Sequence, residues 1–269
     1  MEPRGLSATN RRHVERLHRA FSEPFGAEEA SEALGVDLTR ARRLVRYLAD
    51  RGWLDRVRKG LYLPVPLDAY RSGEAHQDPW VIASVVFEPA YIGGWSAAEH
   101  WDLTEQVFRV VLVVTARRPR DRAPTIGTTT FDVHTMDSAK HFGLAPVWRG
   151  DRRVDVSDPS RTVVDLLADP RWGGGMRHVA EIVGEYFEGE YRDDDRLVDY
   201  GDRLGVGAVF KRLGFLIEMF ELAGEELIDK CLDRRTAGIN DLDPSVDARG
   251  RIITRWGIRA NVSLERHAA

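Results

Sequence analysis

Between Gly26 and Leu63 the hydrophobic period changes twice, and few folds accommodate that change. Phe25 to Leu34 places apolar or small residues at helical intervals, and Gly35-Val36-Asp37 interrupts the run. From Asp37 on, Leu38, Ala41, Leu44, Val45 and Leu48 recur on one face of a helix, while Arg40, Arg42, Arg43, Arg46 and Arg51 fill the other. After Gly52 come two short apolar runs, Trp53–Val57 and Leu61–Leu63, joined by Arg58-Lys59-Gly60. A further amphipathic stretch, 9–21, stands ahead of these elements and stops at Ser22-Glu23-Pro24, where proline disfavours helix. Helix, helix, turn, arginine-faced helix and basic hairpin is the order of a winged helix-turn-helix, in which one helix enters the major groove and the hairpin lies on the backbone.

Charge divides along the same line. Residues 1–63 hold 13 Lys+Arg against 9 Asp+Glu, a net of +4, whereas the remaining 206 residues hold 26 against 34, a net of −8. The whole-chain charge of −4 hides a basic end fused to an acidic body. The expected DNA-facing set is Arg40, Arg43, Arg46 and Tyr47 in the groove, Thr39 and Arg42 fixing register, and Arg56, Arg58 and Lys59 gripping phosphate.

The rest of the chain mixes periods. The expected fold class is α+β: an N-terminal winged helix-turn-helix (1–66), a linker (67–79), and a mixed α/β domain (80–269) with a helical second half. Trp80–Phe87 reads as a buried helix, with a strand as the alternative because periodicity cannot settle so short a run. Tyr91–Trp95 reads as a turn into a helix at 96–101 capped by Ser96. Phe108–Val114 reads as a buried strand, Thr128–Thr135 as a half-exposed one, and Val147–Val156 as a hairpin. Ser157-Asp158-Pro159 is a helix start, and helices are expected near 159–168, 176–188, 193–204, 206–222 and 224–235. A terminal strand is expected over Arg251–Val262. The lone Cys231 excludes an intrachain disulfide and a thiolate metal cluster. Apolar runs fall short of the roughly 18 residues that span a bilayer, and the charged N-terminus lacks a signal core, so the expected location is cytoplasmic.

Signs of catalysis are weak. Gly173-Gly174-Gly175 lacks the sequence of a phosphate loop and reads as a helix-helix connection. Histidines 76, 100, 134, 141 and 178 have no ligand spacing, Ser96 and His100 lie one turn apart on one helix, and no clustered carboxylates accompany a lysine. Neither catalytic residue, metal nor cofactor is expected. Lys211 and Arg212, inside an apolar helix, have two readings: outward-facing charges beside a packed face, or a basic patch engaging RNA, a nucleotide or a partner.

Several stretches together resemble the AbiEi family of antitoxins from bacterial abortive-infection (type IV) toxin–antitoxin systems. They are the Arg58-Lys59-Gly60-Leu61-Tyr62 hairpin, Tyr91 to Thr104 (YIGGWSAAEHWDLT), Val156 to Asp165 (VSDPSRTVVD) and Phe210 to Leu216 (FKRLGFL), which lie between residues 10 and 220. The resemblance implies a DNA-binding autorepressor that recognises an inverted-repeat operator in double-stranded DNA. It also implies a C-terminal domain that counteracts a nucleotidyltransferase toxin without a stable complex, which makes Lys211 and Arg212 antitoxicity candidates. A one-component regulator with a ligand-binding C-terminal domain and no toxin partner is the alternative. No membrane association is implied.

Overall fold

Short polar side chains cap five of the described α-helices of this mixed α/β chain, and glycines stand at the starts of the others. In the computed structural model, which describes residues 6–65 and 78–265, α1 (Ala8–Ala20), α2 (Ala27–Leu34) and α3 (Leu38–Asp50) lead into a hairpin of β1 (Leu54–Arg58) and β2 (Leu61–Pro64). Gly35 stops α2 at φ +64°, a conformation glycine adopts without penalty. Asp37 then caps α3 by accepting the Arg40 N–H at 2.9 Å. The second helix starts two residues later than Phe25 because Phe25 exchanges backbone hydrogen bonds with Tyr62, 2.9 Å each way, and so lies against the hairpin. Val14, Leu17, Phe25, Leu34, Val45, Leu48, Leu54 and Tyr62 form a core of their own between these elements.

The body begins with α4 (Pro79–Val86), which settles the ambiguous apolar run as helix; Asp78 caps it. Of the expected linker, residues 67–77 lie outside the described residues, while Asp78 and Pro79 belong to this helix start. There follow β3 (Ala90–Ile92), α5 (Gly94–His100), β4 (Val110–Thr115), β5 (Thr125–Ile126), β6 (Thr129–Thr135), β7 (Leu144–Arg149) and β8 (Arg152–Ser157). These strands make one sheet in the order β5-β6-β4-β3-β8-β7. The central β4 and β6 run parallel, in register from Val110↔Thr130 to Thr115↔Thr135. Because side chains alternate along a strand, Val111 and Val113 pack with α4 in one core, together with Leu63 of the hairpin. Leu112 and Val114 face the opposite layer.

That layer is helical: α6 (Pro159–Ala168), α7 (Met176–Glu188), α8 (Asp194–Leu204), α9 (Ala208–Phe220) and α10 (Glu225–Arg234). Asp158 and Asp193 cap α6 and α8 through bonds of 2.8 and 2.9 Å. A small sheet, β9 (Asn240–Asp241), β10 (Arg251–Ile253) and β11 (Ile258–Ala260), closes the far side, so the expected terminal strand is an antiparallel pair with a third short partner. Gly214 is required on α9: a Cβ there would lie 2.0 Å from the fully buried Trp256 ring.

Two local expectations change. Tyr91 and Ile92 belong to β3 and not to a turn, and Ser96 sits inside α5, whose cap position is Gly93. The Ser96 hydroxyl instead accepts the Leu112 N–H of β4 at 3.0 Å, fixing helix to sheet. The three glycines do form a connection: Gly174 and Gly175 take positive φ between a short 3-10 turn and α7. Asp243 Oδ2 accepts the Met176 N–H at 2.7 Å, so the chain's own carboxylate occupies the start of α7.

Candidate nucleic-acid interface

The amphipathic pattern of α3 decides where its arginines go. Ala41, Val45 and Leu48 are buried, which turns Thr39, Arg40, Arg42, Arg43 and Arg46 into solvent on the opposite side; Tyr47 is half-buried at its margin. Among the described residues none of Arg40, Arg42, Arg43 and Arg46 has a carboxylate partner. Four guanidinium groups within two helical turns therefore repel one another without internal compensation, a cost that a polyanion would relieve. Arg51 lies over the Tyr47 ring, 5.2 Å from its centroid, and steadies that side chain.

The α1 helix completes a groove that sequence reasoning did not assign. Thr9, Asn10 and His13 line it with Arg40, Arg43, Leu44 and Tyr47, enclosing about 400 Å³. Asn10 stands one turn before Val14 and His13 one turn before Leu17, so both continue the buried face of α1, and the helical period alone did not set them apart as a groove. Burial pulls the His13 pKa below its ordinary value, and the positive charges of Arg40 and Arg16 pull it further. Its Nδ1 has no hydrogen-bond partner among the described residues.

The hairpin divides its expected contacts. Arg56 and Lys59 are exposed, and Gly60 turns the chain at φ +84°. Arg58 does not reach outward as expected: its guanidinium donates to the Val86 carbonyl of α4 at 3.1 Å. Together with Leu63 in the α4 core and an ion pair between Glu23 and Arg152 at the β7–β8 turn, this bond docks the N-terminal elements on the body. The outward side of α3 makes no hydrogen bond or ion pair with any described residue of the body.

Lys211 and Arg212 correct the sequence reading more sharply. Neither faces solvent, so neither an exposed helix face nor a surface patch exists there. The Lys211 ammonium donates to Gly238 O at 2.8 Å and Asn240 Oδ1 at 2.7 Å, with Ala237 O at 3.5 Å. Arg212 donates to four carbonyls, of Leu167, Ala168, Asp241 and Leu242, at 2.7–3.1 Å. Burial lowers the pKa of both, and among the described residues no carboxylate bonds either one. They bind strand to helix.

The Ser96–His100 pair is likewise dissolved by geometry, since Ser96 is committed to β4 and the His100 ring packs edge-on against Trp80. His178 is spanned by Thr104 Oγ1 at 2.7 Å and the Gly173 carbonyl at 2.6 Å, a packing role. Among the described residues no three His, Cys, Asp or Glu side chains gather as a metal site would require. His76 lies outside the described residues.

No protein-family model and no curated protein matches this chain. Among solved structures it is similar to the crystal structure of the RV2827C protein from Mycobacterium tuberculosis, at 17% identity and a TM-score of 0.63, over 95% of this chain and 92% of that one. At that identity the likeness is one of fold, and it extends through nearly the whole of both chains.

Proposed function

We propose that the chain is an antitoxin and transcriptional autorepressor of the AbiEi kind, whose N-terminal winged helix-turn-helix binds an inverted-repeat operator. The observation that carries the DNA reading is the set of exposed arginines on α3 that have no carboxylate partner among the described residues, together with an exposed Lys59 on the hairpin and the polar groove against α1. In this reading α3 lies in the major groove, Arg40, Arg43 and Arg46 reach base edges or flanking phosphates, and Lys59 and Arg56 hold the backbone. Arg58 serves instead as the strut that sets the hairpin's angle against the body. The antitoxin half of the proposal is supported by the four sequence stretches named above; the C-terminal α/β body would oppose a nucleotidyltransferase without a stable complex.

Electrophoretic mobility shifts on the DNA upstream of the gene test the first half. Arg43→Ala is expected to weaken specific binding by about 1–3 kcal/mol and to relax preference at one base, as the loss of a bidentate guanine contact does. Lys59→Gln should weaken all duplexes alike and lower the salt slope by about one. Unchanged affinity in both variants would remove DNA from the proposal. Co-expression with the neighbouring gene tests the second half: rescue of growth supports the antitoxin role.

One observation favours a one-component regulator as the second reading. Arg235, Thr236, Ile239, Thr254 and Trp256 line a groove of about 460 Å³ between the end of α10 and the small sheet, within the size range of small-molecule sites. A neighbouring gene without toxicity, joined to operator release by a small metabolite, would decide for that reading.

A further inference from the structure

The connection between β4 and β5 carries Arg117, Arg118, Arg120 and Arg122 against a single acid, Asp121, a net of +3 on a body that is acidic as a whole. All four arginines are exposed. None makes an ion pair with a described residue, whereas twelve other arginines of the described body do. The segment is also braced. Ala116 N–H bonds Pro89 O at 3.0 Å, Arg117 N–H bonds Thr115 Oγ1 at 3.1 Å, and Ala123 N–H bonds Asp121 Oδ1 at 3.0 Å. The Arg122 carbonyl accepts the Val133 N–H of β6 at 2.7 Å. Part of the entropy of presenting these cations is thus already spent in the free protein.

Its placement decides what such a surface is for. The Thr115 hydroxyl, at the loop's root, donates to the Phe87 carbonyl at 2.6 Å. Phe87 follows Val86, whose carbonyl anchors the hairpin's Arg58. The arginine segment therefore leaves the sheet where the hairpin docks, and the Arg117 Cα lies within about 7 Å of the Thr115 Cα by chain length alone. We propose that residues 117–122 form a second phosphate-binding surface for duplex DNA, continuing the hairpin's contacts along the backbone beyond the base-reading helix. This rests on the DNA reading above. Guanidinium forks suit phosphate oxygens, and the segment's root is bonded to Phe87, next to the Val86 carbonyl that holds the hairpin's Arg58.

The test measures the affinity of the full-length protein for the upstream duplex and for an unrelated duplex as a function of salt. Arg117→Gln/Arg118→Gln/Arg120→Gln/Arg122→Gln is expected to lower the slope of log affinity against log salt by about two to three, equally for both duplexes. Base preference should be unaltered. Arg177→Gln/Arg251→Gln, which also removes positive charge from the body, should leave the slope in place, and equal thermal midpoints would show that all proteins are folded. A wild-type slope retained by the quadruple variant would overturn the loop proposal while leaving the DNA reading intact. A wild-type protein with no salt-dependent affinity for either duplex would overturn both. Selective loss of the upstream site, with the slope unchanged, would make the segment a base reader and also refute the phosphate role.

Discussion

Replacing Asp165 with alanine is expected to cost about 3–5 kcal/mol of folding free energy, the usual consequence of removing one partner of a buried ion pair. Both side chains of the Arg161–Asp165 pair are fully buried. Asp165 accepts from Arg161 Nε at 2.9 Å and from the Tyr91 hydroxyl at 3.0 Å. The remaining guanidinium donors reach only the Phe142 carbonyl, the Tyr91 oxygen and the Met136 sulfur, so alanine would leave a cation inside the protein without a counter-charge. Such a loss is a large part of the roughly 5–15 kcal/mol that holds a typical protein folded. Urea unfolding measures it directly; a loss below about 1 kcal/mol would show that Arg161 is compensated by its neutral partners. Asp165→Asn, which keeps the shape and an acceptor, should cost less.

The same carboxyl gives a pH dependence of definite sign. Burial pushes its pKa up to about 6, against the pull of Arg161 and of the Tyr91 hydroxyl. A folded-state value above that of the unfolded chain means the folded state binds the proton more tightly. The contribution of Asp165 is therefore full below about pH 4 and is lost as pH rises through 6. Wild type should hold its largest advantage over Asp165→Asn at acid pH, and a difference between them that is flat from pH 4 to 7 would contradict the assignment.

The residues around this pair explain what the sequence did and did not disclose. Two of the stretches that carry the family resemblance meet here: Tyr91 from one, Arg161 and Asp165 from the other, with Trp101 Nε1 donating to the Ser157 carbonyl at 2.7 Å beside them. A third contributes Gly214, which admits the Trp256 ring, and the buried Lys211 and Arg212. These stretches therefore describe how the body packs, and a surface role for any of them needs separate support. Helices were legible because capping aspartates and the 3.6-residue period act locally, as at Asp37, Asp158 and Asp193. The arginine face of α3 was legible for the same reason. Contacts distant in sequence were not: nothing near Ser96 announces Leu112, nothing near Arg58 announces Val86, and a Lys-Arg pair in an apolar helix looks solvated until the carbonyls of Leu167 and Leu242 come into view. The groove against α1 was not legible, since Asn10 and His13 share the helical face of Val14 and Leu17 and nothing local says that α3 borders them.

Arg212→Ala should be the second severe substitution, costing about 3 kcal/mol or more, and it bears on how loss of antitoxicity would be interpreted. The guanidinium joins the last carbonyls of α6, at Leu167 and Ala168, to the β9 region through Asp241 and Leu242. Carbonyls at a helix C-terminus have no partner within the helix, and each one orphaned in a dry interior costs roughly 1–3 kcal/mol. Arg212→Lys should not repair this, because one ammonium cannot span carbonyls of two elements as the planar fork does. Tryptophan fluorescence during urea unfolding should report the change, since Trp172 and Trp256 lie in the same core as α6 and α9. A rescue assay alone would mislead, as an unfolded body also fails to oppose a toxin. The informative comparison is rescue against the unfolding midpoint in the same variants. If Arg212→Ala loses rescue in step with its midpoint, the residue holds the fold. Were rescue abolished in a protein as stable as wild type, Arg212 would have to reach a partner, and its four carbonyl bonds would not be the state that acts.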